Sequence, residues 1–260
     1  DDLKAALRDD TILVSVMAVN NEIGSIQPLD KVADILKDYP TVHFHVDAVQ
    51  SVGKGVMDLI RNPRIDFLTF SGHKFHAPRG TGFIYAKEGR RIEPLMAGGG
   101  QESDWRSGTE NTPGIAAMAK ALRLALTDED KKVAREQAIR KDITDYVKSF
   151  DHTVIFSQLT PDFAPHILTM AITGVRGETI VHAFEKEGVY MSTTSACSSR
   201  SGQESSTLAA MKVDGSIAES AFRISLDEEN TMAEAEQFKQ AFKHVYDGFQ
   251  RMRAEESRRR

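Results

Sequence analysis

The tetrapeptide Ser71-Gly72-His73-Lys74 follows directly on the apolar run Ile65 to Phe70, which reads as a strand. The lysine therefore falls at a strand's carboxyl end, where open α/β sheets place their ligand sites. A second strand-like run, Thr41 to Val46, leads into Asp47-Ala48-Val49-Gln50 and brings a carboxylate to the same crevice. A lysine that can form a Schiff base, beside an aspartate that can keep a pyridine nitrogen protonated, is the pairing pyridoxal 5'-phosphate requires, because the protonated ring becomes an electron sink. A lone lysine in such a loop is more often a solvated cation. The aspartate lifts Lys74 above that reading.

The Asp47 strand admits a different chemistry as well. His43, His45 and Asp47 alternate with Val42, Phe44 and Val46, so a period of two puts both imidazoles and the carboxylate on one face, a spacing open to a metal ion in a hydrolase. The alternative is a pair of packed, hydrogen-bonded sheet histidines. Cys197 is the single cysteine, so the chain forms no internal disulfide and no cysteine-cluster metal site. It lies in the small, polar stretch Ser192 to Gly202, unlike the apolar setting of a structural cysteine and suited to a thiol that acts as a nucleophile.

These residues need a scaffold, and the composition supplies one. The chain has 260 residues, 40% hydrophobic and 27% charged, a globular composition that excludes disorder. No stretch approaches the roughly 18 uninterrupted apolar residues of a membrane span, and the acidic opening Asp1-Asp2 is unlike a signal peptide, so a cytoplasmic protein is expected, with no membrane partner. A formal net charge of -5 with interspersed signs argues against direct nucleic-acid binding, although Arg258 to Arg260 make a small basic tail.

Four strand-like runs, Thr11 to Ala18, Thr41 to Val46, Ile65 to Phe70 and Thr81 to Tyr85, are interspersed with helical patterns, one of them entered at Pro28. Such alternation predicts an α/β fold with a largely parallel sheet. Gly98-Gly99-Gly100 interrupts the pattern and Pro113 opens an apolar helix. The texture changes near Thr127, predicting two domains, 1–127 and 128–260. The second should hold a long charged helix over 128–150 and short strands near 153–156 and 166–171. A helix over 178–187, a strand over 189–192, a helix near 208–211, a strand over 222–225 and a closing helix over 232–252 follow.

Seven ordered strings carry a family resemblance: NNEIGSIQPL (20–29), HVDAVQSVGK (45–54), FSGHKFHAPRGTGFIY (70–85), GGGQE (98–102), RSGTEN (106–111), SACSS (195–199) and FRISL (222–226). In order and spacing they resemble the cysteine desulfurases of the NifS/IscS type, pyridoxal-phosphate enzymes of aminotransferase class V. The resemblance implies the PLP-dependent transferase fold of the aspartate aminotransferase type, fold type I. It makes residues 1–127 the C-terminal part of the large cofactor domain and 128–260 the small domain with the cysteine loop.

By the same resemblance Lys74 holds the cofactor and acts in catalysis, Asp47 faces the pyridine nitrogen, and Gln50 and Asn21 face the phenolic oxygen and the substrate. Ser71 and His73 contact the phosphate, and Thr109 reaches the phosphate of a neighbouring subunit, which implies a homodimer; a plain helix cap before Pro113 is the other account of Thr109. Arg223 takes the carboxylate of L-cysteine, and the Cys197 thiolate receives the sulfur as a persulfide, leaving L-alanine, for delivery to an acceptor protein of iron–sulfur cluster assembly or of tRNA or cofactor thiolation. The resemblance also implies that the N-terminal part of the family's chain is not spanned, including its Gly/Ala-Thr-Glu-x-x-Asn phosphate motif and its stacking histidine. A separate N-terminal polypeptide would then complete the enzyme. A non-catalytic, dimerising remnant and a metallohydrolase using His43, His45 and Asp47 remain as alternatives.

Overall fold

The computed structural model describes residues 1–194 and 205–259. They form two compact units, one made of Asp1–Val19 and Gln27–Glu129, the other of Asn20–Ile26 and Asp130–Arg260.

The first unit opens on a short helix, α1 (Asp2–Ala6), and is built on a four-stranded sheet of β1 (Leu13–Met17), β2 (His43–Asp47), β3 (Phe67–Ser71) and β4 (Gly82–Ala86), in that order. β1, β2 and β3 run parallel, and β4 returns antiparallel to β3. The return is antiparallel because a single tight turn and a short loop separate β3 from β4, too little chain for a parallel crossover. Between β1 and β2 lies α2 (Leu29–Leu36), entered from Pro28. It buries Leu29, Ala33 and Leu36, which the helical period puts on one face. In β2 the alternation is clear: Phe44 and Val46 have no exposed surface, while His43 and His45 are half-buried. Full burial of each such apolar side chain is worth about 2 kcal/mol, so a one-residue slip in register would be costly.

Asp66, just before β3, fastens the strand ends on the amino side. Its side chain is 1% exposed. It accepts from the Phe44 amide at 2.8 Å, from Arg64 Nη1 at 2.9 Å and from Arg90 Nε at 2.8 Å. α3 (Thr112–Leu126) carries Pro113 in its first turn and buries Gly114, Met118 and Ala125.

The second unit surrounds an antiparallel sheet in the order β5 (Thr153–Ile155), β6 (Ile167–Ile172), β8 (Ala221–Ser225), β7 (Ser192–Thr193). Its helices are α4 (Glu129–Val147), α5 (Gly177–Lys186), the short α6 (Ser206–Ala210) and α7 (Gly215–Ala218), and the long α8 (Met232–Arg259). Every residue of β6 is buried. The core joins Leu168, Met170 and Ile172 of β6 to Ile139 and Ile143 of α4, Phe184 of α5 and Phe238 and Phe242 of α8. Phe184 and Phe238 stack with centroids 5.5 Å apart.

Two elements differ from expectation. β7 starts at Ser192, where the predicted strand ends, because Ser192 and Thr193 are the residues that find partners, in register with Arg223 and Phe222 of β8. α7 has no apolar run to announce it. Its start is fixed by Asp214, whose side chain accepts from the Ser216 amide.

Candidate active site

Asp47 is the last residue of β2 and pairs in register with Thr69 of β3; Ser71 is the last residue of β3. The two carboxyl ends thus lie side by side in a parallel sheet. Asp47 is exposed, and its Oδ1 accepts from the Val49 amide at 3.0 Å. This Asx turn fixes one oxygen and fits the Asp-Ala-Val sequence. Gln50 follows it, half-buried.

Lys74 sits on a one-turn 3₁₀ helix, Gly72–Phe75, in which Gly72 and Phe75 are buried and His73 and Lys74 are exposed. The glycine is a steric necessity. Its amide donates to the Thr81 carbonyl at 2.9 Å, and a Cβ there would stand 2.4 Å from Thr81 Oγ1 and 2.9 Å from the Thr81 carbonyl. Ser71 Oγ and His73 Nδ1 are 2.8 Å apart. Five expected residues, Asp47, Gln50, Ser71, His73 and Lys74, therefore issue from the carboxyl ends of two adjacent parallel strands. The donor set fits pyridoxal phosphate: an exposed carboxylate for a pyridine nitrogen, an exposed primary amine, and a hydroxyl–imidazole pair for a phosphate.

The same strand does not gather a metal site. His45 is bridged across three strands, with Nδ1 2.7 Å from Ser15 Oγ and Nε2 3.0 Å from Thr69 Oγ1. A neutral imidazole, one nitrogen donating and one accepting, satisfies both contacts. Burial pushes its pKa down and the Asp47 charge only partly offsets this. His43 turns elsewhere, with Nδ1 3.8 Å from Asp66 Oδ2 and its ring edge-on to Phe67. Among the described residues no group of three or more His, Cys, Asp or Glu is placed to hold a metal ion. The metallohydrolase expectation is therefore corrected: His45 is a hydrogen-bonded sheet residue and His43 a packed one beside Phe67, with different partners.

Thr109 is exposed and lines a groove of about 640 Å³ together with Gly82, Ile84, Trp105, Arg106 and Met118. Helix capping does not account for it. The N-cap of α3 is Asn111, whose side chain accepts from the Gly114 amide at 3.1 Å.

Asn21 and Arg223 belong to the second unit. Arg223, half-buried in the middle of β8, donates from Nη1 to the Asn21 carbonyl at 2.8 Å. Segment 20–26 is shaped by its own sequence: Asn20 Oδ1 accepts from the amides of Glu22 and Ile23 at 2.8 and 2.9 Å. Gly24 then takes a φ of +79° that few other residues tolerate. Side chains of the unit also hold it. Thr169 Oγ1 donates to the Glu22 carbonyl and Ser157 Oγ to the Ile23 carbonyl.

Cys197 lies outside the described residues. Description resumes at Ser205, whose hydroxyl donates to the Glu22 carboxylate and caps α6 by accepting from the Leu208 amide; nearby Asn20 Nδ2 donates to Thr207 Oγ1 at 3.2 Å. Sequence reasoning gave no role to Asn20, Glu22, Ser205 or Thr207. The Asn-Asn-Glu-x-Gly run was a turn signal that could have drawn attention to the first two.

The aminotransferase class-V family model matches residues 1–238. The chain belongs to the aminotransferase class-V family. Among class-V relatives, it is 55% identical over 252 residues to a NifS/IcsS protein homolog of Lactobacillus delbrueckii subsp. bulgaricus, covering 97% of this chain and 66% of that one. It is 40% identical over 226 residues to a cysteine desulfurase IscS of Dictyoglomus turgidum, covering 87% and 57%. A solved NifS-like protein superposes with a TM-score of 0.84 at 34% identity, covering 95% of this chain and 64% of that one. The chain thus spans between half and two thirds of the length of these relatives. The class-V and NifS/IscS proteins depend on pyridoxal phosphate, and the fold is of the α/β transferase type. Among the described residues no helix is long and apolar enough to cross a membrane.

Proposed function

We propose that this chain is the main part of a cysteine desulfurase, removing sulfur from L-cysteine and releasing L-alanine. The observation that carries the reading is the placement of the Lys74 turn and Asp47 at the carboxyl ends of neighbouring parallel strands. The relatives named as cysteine desulfurases support the substrate.

Bound pyridoxal phosphate would supply an electron sink that stabilises negative charge on the substrate carbon. Lys74 holds the cofactor and, once released, moves the proton at its Nζ. Asp47 keeps its carboxylate toward the ring nitrogen, while Ser71, His73 and the phenol-facing Gln50 orient the group. Arg223 takes the substrate carboxylate through a two-pronged guanidinium contact, with Asn21 beside it. The Cys197 thiolate attacks the substrate sulfur; the carbon–sulfur bond breaks with its electron pair left on the carbon skeleton, which takes up protons to become alanine. The sulfur stays on Cys197 as a persulfide for a protein acceptor.

We read the Thr109 groove, with its apolar Ile84, Trp105 and Met118, as part of a homodimer contact, which would bring Thr109 to the partner's phosphate. Leu13 and Met17, 49% and 39% exposed, share one face of β1, and there we place a contact with further polypeptide. The deciding experiment is hydride reduction of the protein mixed with pyridoxal phosphate, followed by peptide mass analysis. A cofactor adduct on Lys74 is expected, and no adduct in the presence of the family's N-terminal portion overturns the reading. A second reading is a non-catalytic remnant that keeps its contact surfaces, the Thr109 groove among them. Alanine release that depends on Cys197 excludes it.

A further inference from the structure

Arg140 is an arginine buried to 3% exposure in the middle of α4. Its guanidinium fans over one loop: Nη1 donates to the carbonyls of Phe163 at 3.2 Å and Ala164 at 2.7 Å, and Nη2 to the carbonyl of Gln158. Burying a cation is costly, and burial pulls the Arg140 pKa down. A buried arginine spent on main-chain carbonyls makes sense where the loop must be held in place.

That loop is the outer support of segment 20–26. The Ala164 amide donates to the Gly24 carbonyl at 2.7 Å, the Ile26 amide donates to the Asp162 carbonyl at 2.7 Å, and Ser25 bridges to Phe163 in antiparallel fashion. On the segment's other side, the Asn21 carbonyl receives the Arg223 guanidinium at 2.8 Å. All of these residues lie in one compact unit. Arg140, the 158–164 loop, the 20–26 segment and Arg223 thus form one hydrogen-bonded series.

We propose that Arg140 is a positioning residue for the substrate carboxylate site: by fixing the 158–164 loop it fixes the Asn21 carbonyl, and through that carbonyl the orientation of Arg223. The proposal rests on the reading of Arg223 as the carboxylate ligand. Its geometry can be tested without turnover. Arg140→Met removes all three donors; Arg140→Lys keeps the charge but cannot span three carbonyls, and is read in its place if the Met variant does not fold.

Amide hydrogen exchange is measured on the whole chain. The Ile26 and Ala164 amides should exchange about tenfold faster in the variant, while the amides paired between β6 and β8 change by less than about twofold. In the cofactor-loaded protein, KM for L-cysteine should rise about tenfold with kcat within about threefold of the parent. Equal acceleration across the whole unit would reduce Arg140 to a stability role and overturn the proposal. So would unchanged exchange at Ile26 and Ala164, or local acceleration with an unchanged KM. If the protein binds no pyridoxal phosphate, the desulfurase reading fails by itself, and the exchange comparison still decides whether Arg140 holds the Asn21 segment.

Discussion

Arg223 and Asn21, 202 residues apart in the chain, meet through a 2.8 Å hydrogen bond from a guanidinium nitrogen to a main-chain carbonyl. The bond uses one donor of a fork that has five. A carbonyl, unlike a carboxylate, orients the guanidinium without neutralising it. Gripping an anion calls for a cation held in place in this way.

Replacing Arg223 with Ala should therefore raise KM for L-cysteine about 10- to 100-fold, the range expected for losing a charge-assisted pair. Arg223→Lys should recover only part of the loss, since an ammonium cannot make the two-pronged contact. Steady-state kinetics on the cofactor-loaded protein measure both. An unchanged KM in Arg223→Ala would remove the residue from the substrate site.

The Lys74 turn depends on Gly72. A Cβ at that position would stand 2.4 Å from Thr81 Oγ1 and 2.9 Å from the Thr81 main-chain oxygen. Trimming the side chain at 81 relieves only the first clash. Gly72→Ala should cost about 1–3 kcal/mol in denaturant unfolding and lower the yield of cofactor adduct on Lys74. Stability and adduct yield equal to the parent would mean that the turn is not sterically set.

His45 makes stability depend on pH. Its folded pKa lies below the roughly 6.5 of an unfolded histidine, because burial disfavours the charged ring more than Asp47 favours it. The unfolded chain then takes up the proton first. The contribution is complete above about pH 6.5 and is lost as pH falls toward the folded pKa. His45→Gln should flatten this part of the Tm-against-pH curve, with Ser15 and Thr69 still in place to bond the amide. A curve of unchanged slope would show that His45 is not held neutral.

Asp66 acts at lower pH. Burial pushes its carboxyl upward, but the Phe44 amide, Arg90 and Arg64 together outweigh burial and hold the pKa below the usual carboxylate value. The folded pKa is depressed, so the stabilisation is present above about pH 4 and disappears as pH falls through the folded value. Asp66→Asn should cost about 1–3 kcal/mol at pH 7 by taking the carboxylate from the partly exposed guanidinium groups of Arg64 and Arg90, and the gap between variant and parent should narrow in acid. A gap constant from pH 7 to pH 3 would rule out the ion-pair account.

Thr109 and Asn111, two residues apart, should separate cleanly. Asn111→Ala removes the cap of α3 and should cost about 1 kcal/mol of stability. Thr109→Ala should leave unfolding unchanged and weaken pyridoxal-phosphate binding, as read by equilibrium titration. The reverse pattern would return Thr109 to a capping role.

Much of this molecule was legible in order of residues alone. The four strands of the first unit lie in continuous β-branched or aromatic runs, and Phe44 and Val46 alternate with the histidines because side chains alternate faces of a strand. Strand ends are also local, so Asp47 and Lys74 could be assigned to one crevice from their positions after two strands. Spacing could not say whether His43 and His45 converge on a metal. That depended on Ser15, Thr69 and Asp66, which reach them from other strands and loops. Nor could it show that Asn20–Ile26 belongs with residues beyond 130. The sequence by itself determined the elements, the family motifs and the candidate cofactor residues, because backbone propensity and hydrophobic period act over a few residues. The tertiary structure alone decided the neutral bridge at His45 and the link from Arg140 through Asn21 to Arg223, because each rests on hydrogen bonds whose partners are chosen by packing and not by nearness in the chain.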